Sequence, residues 1–133
     1  MKLLTNLLLI GVLGLWQGIG MAGEIPEDKA IKAILGEAGP SDEERLAIAF
    51  ALRNRGTLKG VYGHQEAPTA SDYQKAGKAW HTALNGLKND PTHGADHWLS
   101  DWDLKNAKPR LTAFRFKMTE TAYIGTTHFY RKK

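Results

Sequence analysis

Apolar residues recur at three- and four-residue steps in three stretches of the chain, and this spacing predicts three helices. The first helix is expected from about Glu27. Its buried stripe consists of Ile31, Ile34, Leu35 and Ala38. Gly39 and Pro40 should end this helix, because neither residue continues a helix readily. Glu37 then lies at the end of the stripe, beside apolar neighbours and not in open solvent.

Two further helices are indicated by start signals and apolar stripes. The second is expected to begin at Ser41, with Glu44 as its capping-box partner, and to stop at Gly56. Residues 46–52 are apolar on every side, which indicates a helix buried at the centre of the core. The third is expected from near Ser71. Its inner stripe consists of Tyr73, Ala76, Ala79, Trp80, Ala83 and Leu84.

The last third of the chain changes from helical spacing to β-favouring residues. Residues 111–118 alternate in part, and residues 126–131 are aromatic and β-favouring. With a weaker strand at residues 96–99, these segments predict a small antiparallel sheet. Alternation sends Phe129 inward, opposite to His128 and Tyr130. The expected fold class is therefore α+β, mainly helical, with a small antiparallel β-sheet near the C-terminus.

The first 22 residues have the pattern of a secretory signal peptide. Lys2 precedes a long uncharged stretch, and small residues mark an expected cleavage site after Ala22. The alternative is an uncleaved signal anchor, but glycines and polar residues dilute the hydrophobicity of this stretch, which favours cleavage. We expect residues 26–131 to form one domain, exported to the periplasm, the cell wall or the medium, without stable membrane association once the segment is cleaved.

Composition narrows the classes of function. The chain has 133 residues, no cysteine and a formal net charge of +4. Thiol catalysis and cysteine-bound zinc are therefore excluded, and stability must come from the core. The positive charge collects largely at residues 131–133. It favours encounter with anionic envelope polymers, a solvated tail explains it equally well, and it is too small and scattered to indicate nucleic acid. His93 and His97 have a zinc-binding spacing only on a helix, which Pro91 and Gly94 disfavour, so we expect no metal and no cofactor.

Five short segments occur in one order along the chain. They are Gly36-Glu37-Ala38, Asn54-Arg55, Gly60-Val61-Tyr62, residues 90–95 and residues 124–130. This ordered set resembles the SleB-type cell wall hydrolases, the family that includes the spore cortex-lytic enzymes, and the resemblance spans residues 26–131. It implies a lysozyme-like domain that cleaves the glycan strands of peptidoglycan, as a muramidase-like enzyme or a lytic transglycosylase, with Glu37 as the catalytic acid.

The chain departs from the family pattern in two places. The family segment usually continues with a second acidic residue after a glycine, where this chain has residues 39–42, Gly-Pro-Ser-Asp. His97-Trp98 also stands where the family more often has a different aromatic pair. Both departures bear on substrate detail more than on the overall resemblance.

Glycosidic cleavage needs a proton on the departing oxygen, and a second carboxylate often stabilises the oxocarbenium-like centre. The candidates for this second group are Asp90, Asp96, Asp101 and Asp103. The spacing of these residues along the chain selects none of them. For Asp90, followed by Pro91, a position in a turn is a simpler explanation than a catalytic role. A lytic transglycosylase needs no second carboxylate, because the C6 hydroxyl of the sugar attacks the centre. The sequence therefore favours that chemistry weakly.

Aromatic and hydrogen-bonding side chains are the expected walls of a sugar-binding cleft. The substrate-binding candidates are Tyr62, Trp98, His128 and Tyr130. Trp102 is a further candidate, although a tryptophan in a small domain lies more often in the core. Asn54 and Arg55 end the buried helix, where structural hydrogen bonds are expected in preference to substrate contacts.

Three functions stay open at this stage. The first is an exported enzyme that cleaves peptidoglycan glycan strands. The second is a catalytically inactive, secreted peptidoglycan-binding module. The third is a secreted helical protein without a glycan partner, in which Glu37 is a surface residue.

Overall fold

The computed structural model describes residues 24–106, Phe114 and residues 117–133. Its helices are α1 (Glu27–Glu37), α2 (Asp42–Arg55), α3 (Ala70–Leu84) and α4 (Asp101–Asn106). Its strands are β1 (His97–Ser100), β2 (Met118–Ile124) and β3 (Thr127–Lys132). The fold is α+β, as the sequence predicts. The expected signal peptide, residues 1–22, lies outside the described residues, and within them no helix is both long and apolar enough to cross a membrane.

The core lies where α2 meets α1, α3 and the sheet. Phe50 and Ile48 of α2, Trp80 of α3 and Phe129 of β3 are each at most 1% exposed. Burying a side chain of this size contributes roughly 1.5–3 kcal/mol to stability. The predicted central position of α2 is confirmed, and so is the inward direction of Phe129. This arrangement joins the sheet to the helices and leaves the other face of β3 available for polar groups.

The start of α2 differs from the expected capping box in one respect. The Oγ of Ser41 accepts a hydrogen bond from the Glu44 N–H (3.0 Å), as predicted. The Glu44 carboxylate, however, accepts from the Gly39 N–H and not from the N–H of Ser41. It also accepts from the Thr126 N–H (3.0 Å) and the Thr127 hydroxyl (3.0 Å). Glu44 therefore fastens the start of α2 to the turn between β2 and β3.

The third helix begins earlier than predicted. Thr69, not Ser71, is its N-cap residue, because the Thr69 hydroxyl accepts from the Asp72 N–H (3.1 Å). Thr69 and Asp72 have the spacing of a capping pair, so the sequence contained two overlapping start signals. The predicted inner stripe of α3 is confirmed by its buried members. They are Ala76, Ala79, Trp80 and Ala83.

The sheet has the strand order β1-β3-β2, with both pairs antiparallel. The strands predicted at residues 96–99 and 126–131 are confirmed as β1 and β3. The strand predicted at 111–118 is wrong: the backbone is helical at Phe114 and Lys117, and the strand starts only at Met118, while residues 111–113, 115 and 116 lie outside the described part. A two-residue turn beginning at Gly125 (φ 63°) sets this register, because it pairs β3 with the residues directly before the turn.

Asp90 organises the connection between α3 and β1, as expected of a turn residue. Its carboxyl accepts from the N–H groups of Thr92 (2.8 Å) and Gly94 (3.0 Å). It also accepts from the Nδ2 of Asn54 (2.9 Å), at the end of α2. Partial burial acts to raise the pKa of Asp90, but hydrogen bonds from Thr92, Asn54 and Gly94 outweigh it and hold that pKa below its ordinary value. His93 (φ 56°) lies within this turn, not on a helix.

From the lowered pKa of Asp90 we predict how the stability of the fold changes at acidic pH. Because its pKa is lower in the folded than in the unfolded chain, ionised Asp90 stabilises the fold above the ordinary value of 3.8, and this contribution is lost as pH falls through the folded value. We expect Asp90→Asn to lower the unfolding temperature at neutral pH and to reduce its further decrease on acidification. Circular dichroism melts at neutral and acidic pH measure both effects. An unchanged acid-induced decrease in the variant would contradict this role.

Candidate active site

The Glu37 side chain is held by two hydrogen bonds at the end of α1. The indole Nε1–H of Trp98 donates to Oε1 (2.8 Å), and the backbone N–H of Gly63 donates to Oε2. Ala38, the next residue, is extended and carries the chain away from the helix. Glu37 is therefore half-buried and fixed in orientation by a strand and a loop that are distant in sequence.

Two glycines permit the loop to lie against the end of α1. A Cβ atom at Gly36 would collide with the backbone of His64, and a Cβ atom at Gly63 would collide with the Glu37 carboxyl. The backbone N–H of Gln65 also donates to the carbonyl oxygen of Lys32 (3.0 Å). Position 36 therefore requires glycine, because the loop crosses the helix at that point and leaves no room for a Cβ atom.

Arg55 connects the two segments that hold Glu37. Its Nε and Nη2 donate to the carbonyl oxygen of Lys59 (3.2 and 2.7 Å), which belongs to the loop that leads to Gly63. Its Nη1 donates to the carbonyl oxygen of Asp96 (3.1 Å), two residues before Trp98. The guanidinium also lies 5.9 Å from the centre of the Trp98 ring. The expected structural role at the end of α2 is confirmed by these bonds.

A cleft of about 430 Å³ opens beside the Glu37 carboxyl. The sequence-predicted residues Glu37, Tyr62 and Trp98 all line it. Tyr62 is 90% exposed, so most of its surface is free to contact a ligand. The other lining residues are Arg55, Gly60, Val61, His97, Leu99, Asp103 and Phe114. An acid and two aromatic rings that are separated in sequence therefore share one cavity.

The other two predicted substrate-binding residues lie outside the lining of this cleft. His128 and Tyr130 are on the outer face of the sheet, opposite to Phe129. Tyr130 is 4% exposed, and the ring of Phe114, which lines the cleft, packs edge-on against it with 5.0 Å between ring centres. Trp102 is 69% exposed, which excludes the core position usual for a tryptophan.

Asp103 is the carboxylate, besides Glu37, that lines the cleft in the described part of the chain. Its Oδ2 accepts from the Ser100 N–H (3.0 Å), and its own N–H donates to the Ser100 Oγ (3.1 Å). This reciprocal pair begins α4, a helix that the sequence analysis missed. The Ser100–Asp103 spacing was the signal that could have found it. Asp90, Asp96 and Asp101 are not among the lining residues.

No family model matches the chain, and comparisons with curated proteins and with solved structures found no match. The resemblance to the SleB-type hydrolases therefore stays an expectation from the sequence. In residues 24–106, 114 and 117–133 there is no group of three or more histidine and acidic side chains arranged to hold a metal ion. The function is inferred from the chemistry of the cleft.

Proposed function

We propose that this protein is an exported enzyme that cleaves glycosidic bonds in the glycan strands of peptidoglycan, with Glu37 as the general acid. The observation that carries the proposal is the placement of the Glu37 carboxyl in a cleft, held by two N–H donors and accompanied by two aromatic side chains. The ordered motifs that resemble those of the cell wall hydrolases favour peptidoglycan as the polymer that is cleaved. The signal-peptide pattern of residues 1–22 favours export of the protein.

The hydrogen bonds at Glu37 leave room for acid catalysis. Each carboxyl oxygen accepts one N–H and keeps a second lone pair, on which a proton can be carried. Because Trp98 and Gly63 fix the carboxyl in one orientation, little reorganisation is needed when the proton passes to the bridging oxygen. The bond between the bridging oxygen and the anomeric carbon of the sugar that stays bound then breaks. The departing sugar keeps that oxygen as a hydroxyl group, and the positive charge develops at the anomeric carbon of the bound sugar.

Asp103 is the candidate for stabilising that positive charge. Its presence in the cleft supports hydrolysis, in which water adds to the anomeric carbon and the product keeps a free reducing end. In a lytic transglycosylase the C6 hydroxyl attacks instead, and the product is a cyclic anhydro sugar without added water. The two products differ in mass by one water molecule, so mass spectrometry of released fragments identifies the reaction.

The lining of the cleft suits a sugar polymer. Tyr62 and Trp98 offer ring surface for the apolar faces of sugar rings, and Arg55 and His97 add polar groups beside them. The formal charge of +4 favours association with the acidic groups of the cell wall. Tyr62 lines the cleft and is 90% exposed, so a glycan strand that approaches from solvent can contact it.

Incubation of the full chain with purified sacculi tests the proposal. We expect the protein to co-sediment with sacculi and to release soluble sugar-containing fragments over time. Co-sedimentation without release would instead support the inactive binding module. Absence of both at moderate ionic strength would contradict any role in binding the glycan.

Trp98→Phe tests the donor to Glu37 while keeping an aromatic ring in the cleft. The variant lacks the indole N–H that fixes Oε1, so we expect kcat on soluble glycan fragments to fall about tenfold, which corresponds to the loss of one hydrogen bond. KM should change much less, because ring surface is retained. Trp102→Phe is the matched control, since Trp102 is exposed and does not line the cleft. Equal losses in both variants would contradict the role of Trp98.

A further inference from the structure

A row of side chains on the outer face of the sheet leads away from the cleft. Leu99 of β1 lines the cleft and pairs across the sheet with His128 of β3. His128 in turn pairs with Tyr123 of β2. Neighbouring strands lie about 4.8 Å apart, and Leu99 and Tyr123 are separated by two such spacings. Their backbone positions are therefore about 10 Å apart across the sheet. The outer face therefore connects the cleft with a second aromatic position.

The Tyr123 ring is exposed and yet fixed in place. It stacks on the His128 ring with 4.0 Å between ring centres and 16° between ring planes. Its hydroxyl donates to the Oδ2 of Asp101 (2.9 Å). The residue is nevertheless 56% exposed, so His128 covers one face of the ring while much of its remaining surface stays open to solvent. A fixed aromatic ring loses little conformational entropy when a ligand stacks on it.

Two carboxylates hold His128, which supports the ring. The Nε2 of His128 lies 2.8 Å from Asp101 Oδ1, and its Nδ1 lies 3.0 Å from Glu120 Oε1. A register shift between Glu120 and Ala122 places Glu120 on the same face as Tyr123, although the two are three residues apart. These four side chains, Asp101, Glu120, Tyr123 and His128, form what is here termed the Tyr123 platform.

The protonation states of the platform suit recognition of a neutral polar ligand. Hydrogen bonds from His128 and Tyr123 hold the pKa of Asp101 below its ordinary value, so its carboxylate is ionised at neutral pH. The bond to Asp101 raises the pKa of Tyr123, so the phenol keeps its proton. The neutral Tyr123 ring is thus bordered by the Asp101 carboxylate, whose oxygens can accept from hydroxyl and amide N–H groups. Sugars with N-acetyl groups present such donors next to an apolar ring face.

We propose that the Tyr123 platform is an outer subsite for one sugar ring of the glycan strand, beyond the cleft that contains Glu37. This inference rests on the proposed function, because it takes the same polymer as the ligand. The sugar ring stacks on the open face of Tyr123, and Asp101 and Glu120 accept hydrogen bonds from its hydroxyl or amide groups. A glycan that fills only the cleft does not reach the platform.

Binding of glycans of two lengths tests the subsite. Titration calorimetry would use the Glu37→Gln chain, to prevent cleavage, with the disaccharide repeat of peptidoglycan and with its octasaccharide. We expect Tyr123→Ala to weaken octasaccharide binding about tenfold, because the ring surface that the sugar covers is removed, and to leave disaccharide binding unchanged. Tyr123→Phe keeps the ring and should retain most of the octasaccharide affinity. Leu87→Ala removes an exposed apolar side chain elsewhere and is the matched control.

Three outcomes separate the subsite from the proposed function. Unchanged octasaccharide binding by Tyr123→Ala would overturn the subsite and leave the cleft intact. Equal weakening for both glycan lengths would also overturn it, because a general structural effect does not depend on length. If the Glu37→Gln chain with Tyr123 intact bound neither glycan, and the unaltered chain released nothing from sacculi, the proposed function itself would fail, and the subsite with it.

Discussion

Glu37→Gln is expected to lower the rate of fragment release from sacculi by about a hundredfold to ten thousandfold, the range for loss of a general acid. The carboxamide keeps the shape of the side chain but cannot give a proton to the bridging oxygen. Its NH₂ group also faces one of the two N–H donors, Gly63 or Trp98, so one hydrogen bond is lost. That bond contributes about 1 kcal/mol, which lowers the unfolding temperature by about 4–8 °C.

A matched substitution separates catalysis from a change in surface charge. Glu66 lies in the same loop region as Gly63, is exposed, and pairs with His64 (3.0 Å). Glu66→Gln therefore makes the same change from glutamate to glutamine outside the cleft, and we expect its rate to stay within about twofold of the unaltered chain, as for a surface substitution. Rates are compared at a temperature where circular dichroism shows every variant to be folded. Similar losses in both variants would exclude Glu37 as the acid.

Glu44→Ala is expected to have the largest effect on stability. The Glu44 carboxyl is 2% exposed, and it accepts from Gly39, Thr126 and Thr127. Truncation leaves the buried Thr127 hydroxyl and the partly buried N–H groups of Gly39 and Thr126 without this acceptor, at a cost of about 1–3 kcal/mol for each group that water cannot reach. We expect the free energy of unfolding to fall by about 3–5 kcal/mol. This is a large part of the roughly 5–15 kcal/mol that keeps a small domain folded.

Glu43 provides the control for this substitution, because it is the neighbouring glutamate in the first turn of α2 and is exposed. Glu43→Ala removes an acid from the same helix end. We expect it to lower the free energy of unfolding by less than about 1 kcal/mol, the size of a helix-dipole effect. Urea unfolding of both variants measures the difference. If Glu43→Ala and Glu44→Ala were equally destabilising, the contact between α2 and the β2–β3 turn would not be important for the fold.

The helices were predictable because their signals are local. Buried Ile31 and Ile34 of α1 and the apolar run in α2 follow from spacing alone, and Gly56 (φ 76°) ends α2 as predicted. Ala38, predicted as the last member of the α1 stripe, is instead extended and lies just beyond the helix. The start of α3 was less well determined, because Thr69 and Ser71 both resemble N-cap residues. Partial alternation in residues 111–118 favours a strand there, whereas the strand that pairs with β3 begins at Met118, because the turn that begins at Gly125 determines which residues face β3.

The candidate site was predictable only in part, because its hydrogen bonds are tertiary. Gly63 and Trp98 are 26 and 61 residues from Glu37 in the chain, and no local pattern connects them. The resemblance to cell wall hydrolases selected Glu37, and the structure adds the groups that hold it. The sequence predicted structural hydrogen bonds for Arg55 but not their partners, Lys59 and Asp96, and it left Asp103 as one of four candidate carboxylates, because the partners depend on which loop and strand converge at the cleft.

Mass spectrometry of the ends produced in purified sacculi is the most direct measurement of whether Glu37 transfers a proton to a glycosidic oxygen. The full chain should release fragments that contain intact peptide stems and new sugar ends, either reducing or anhydro, and Glu37→Gln should release almost none. Fragments cut only within the peptide stems, or equal release of sugar ends by the Glu37→Gln variant, would contradict the proposed function.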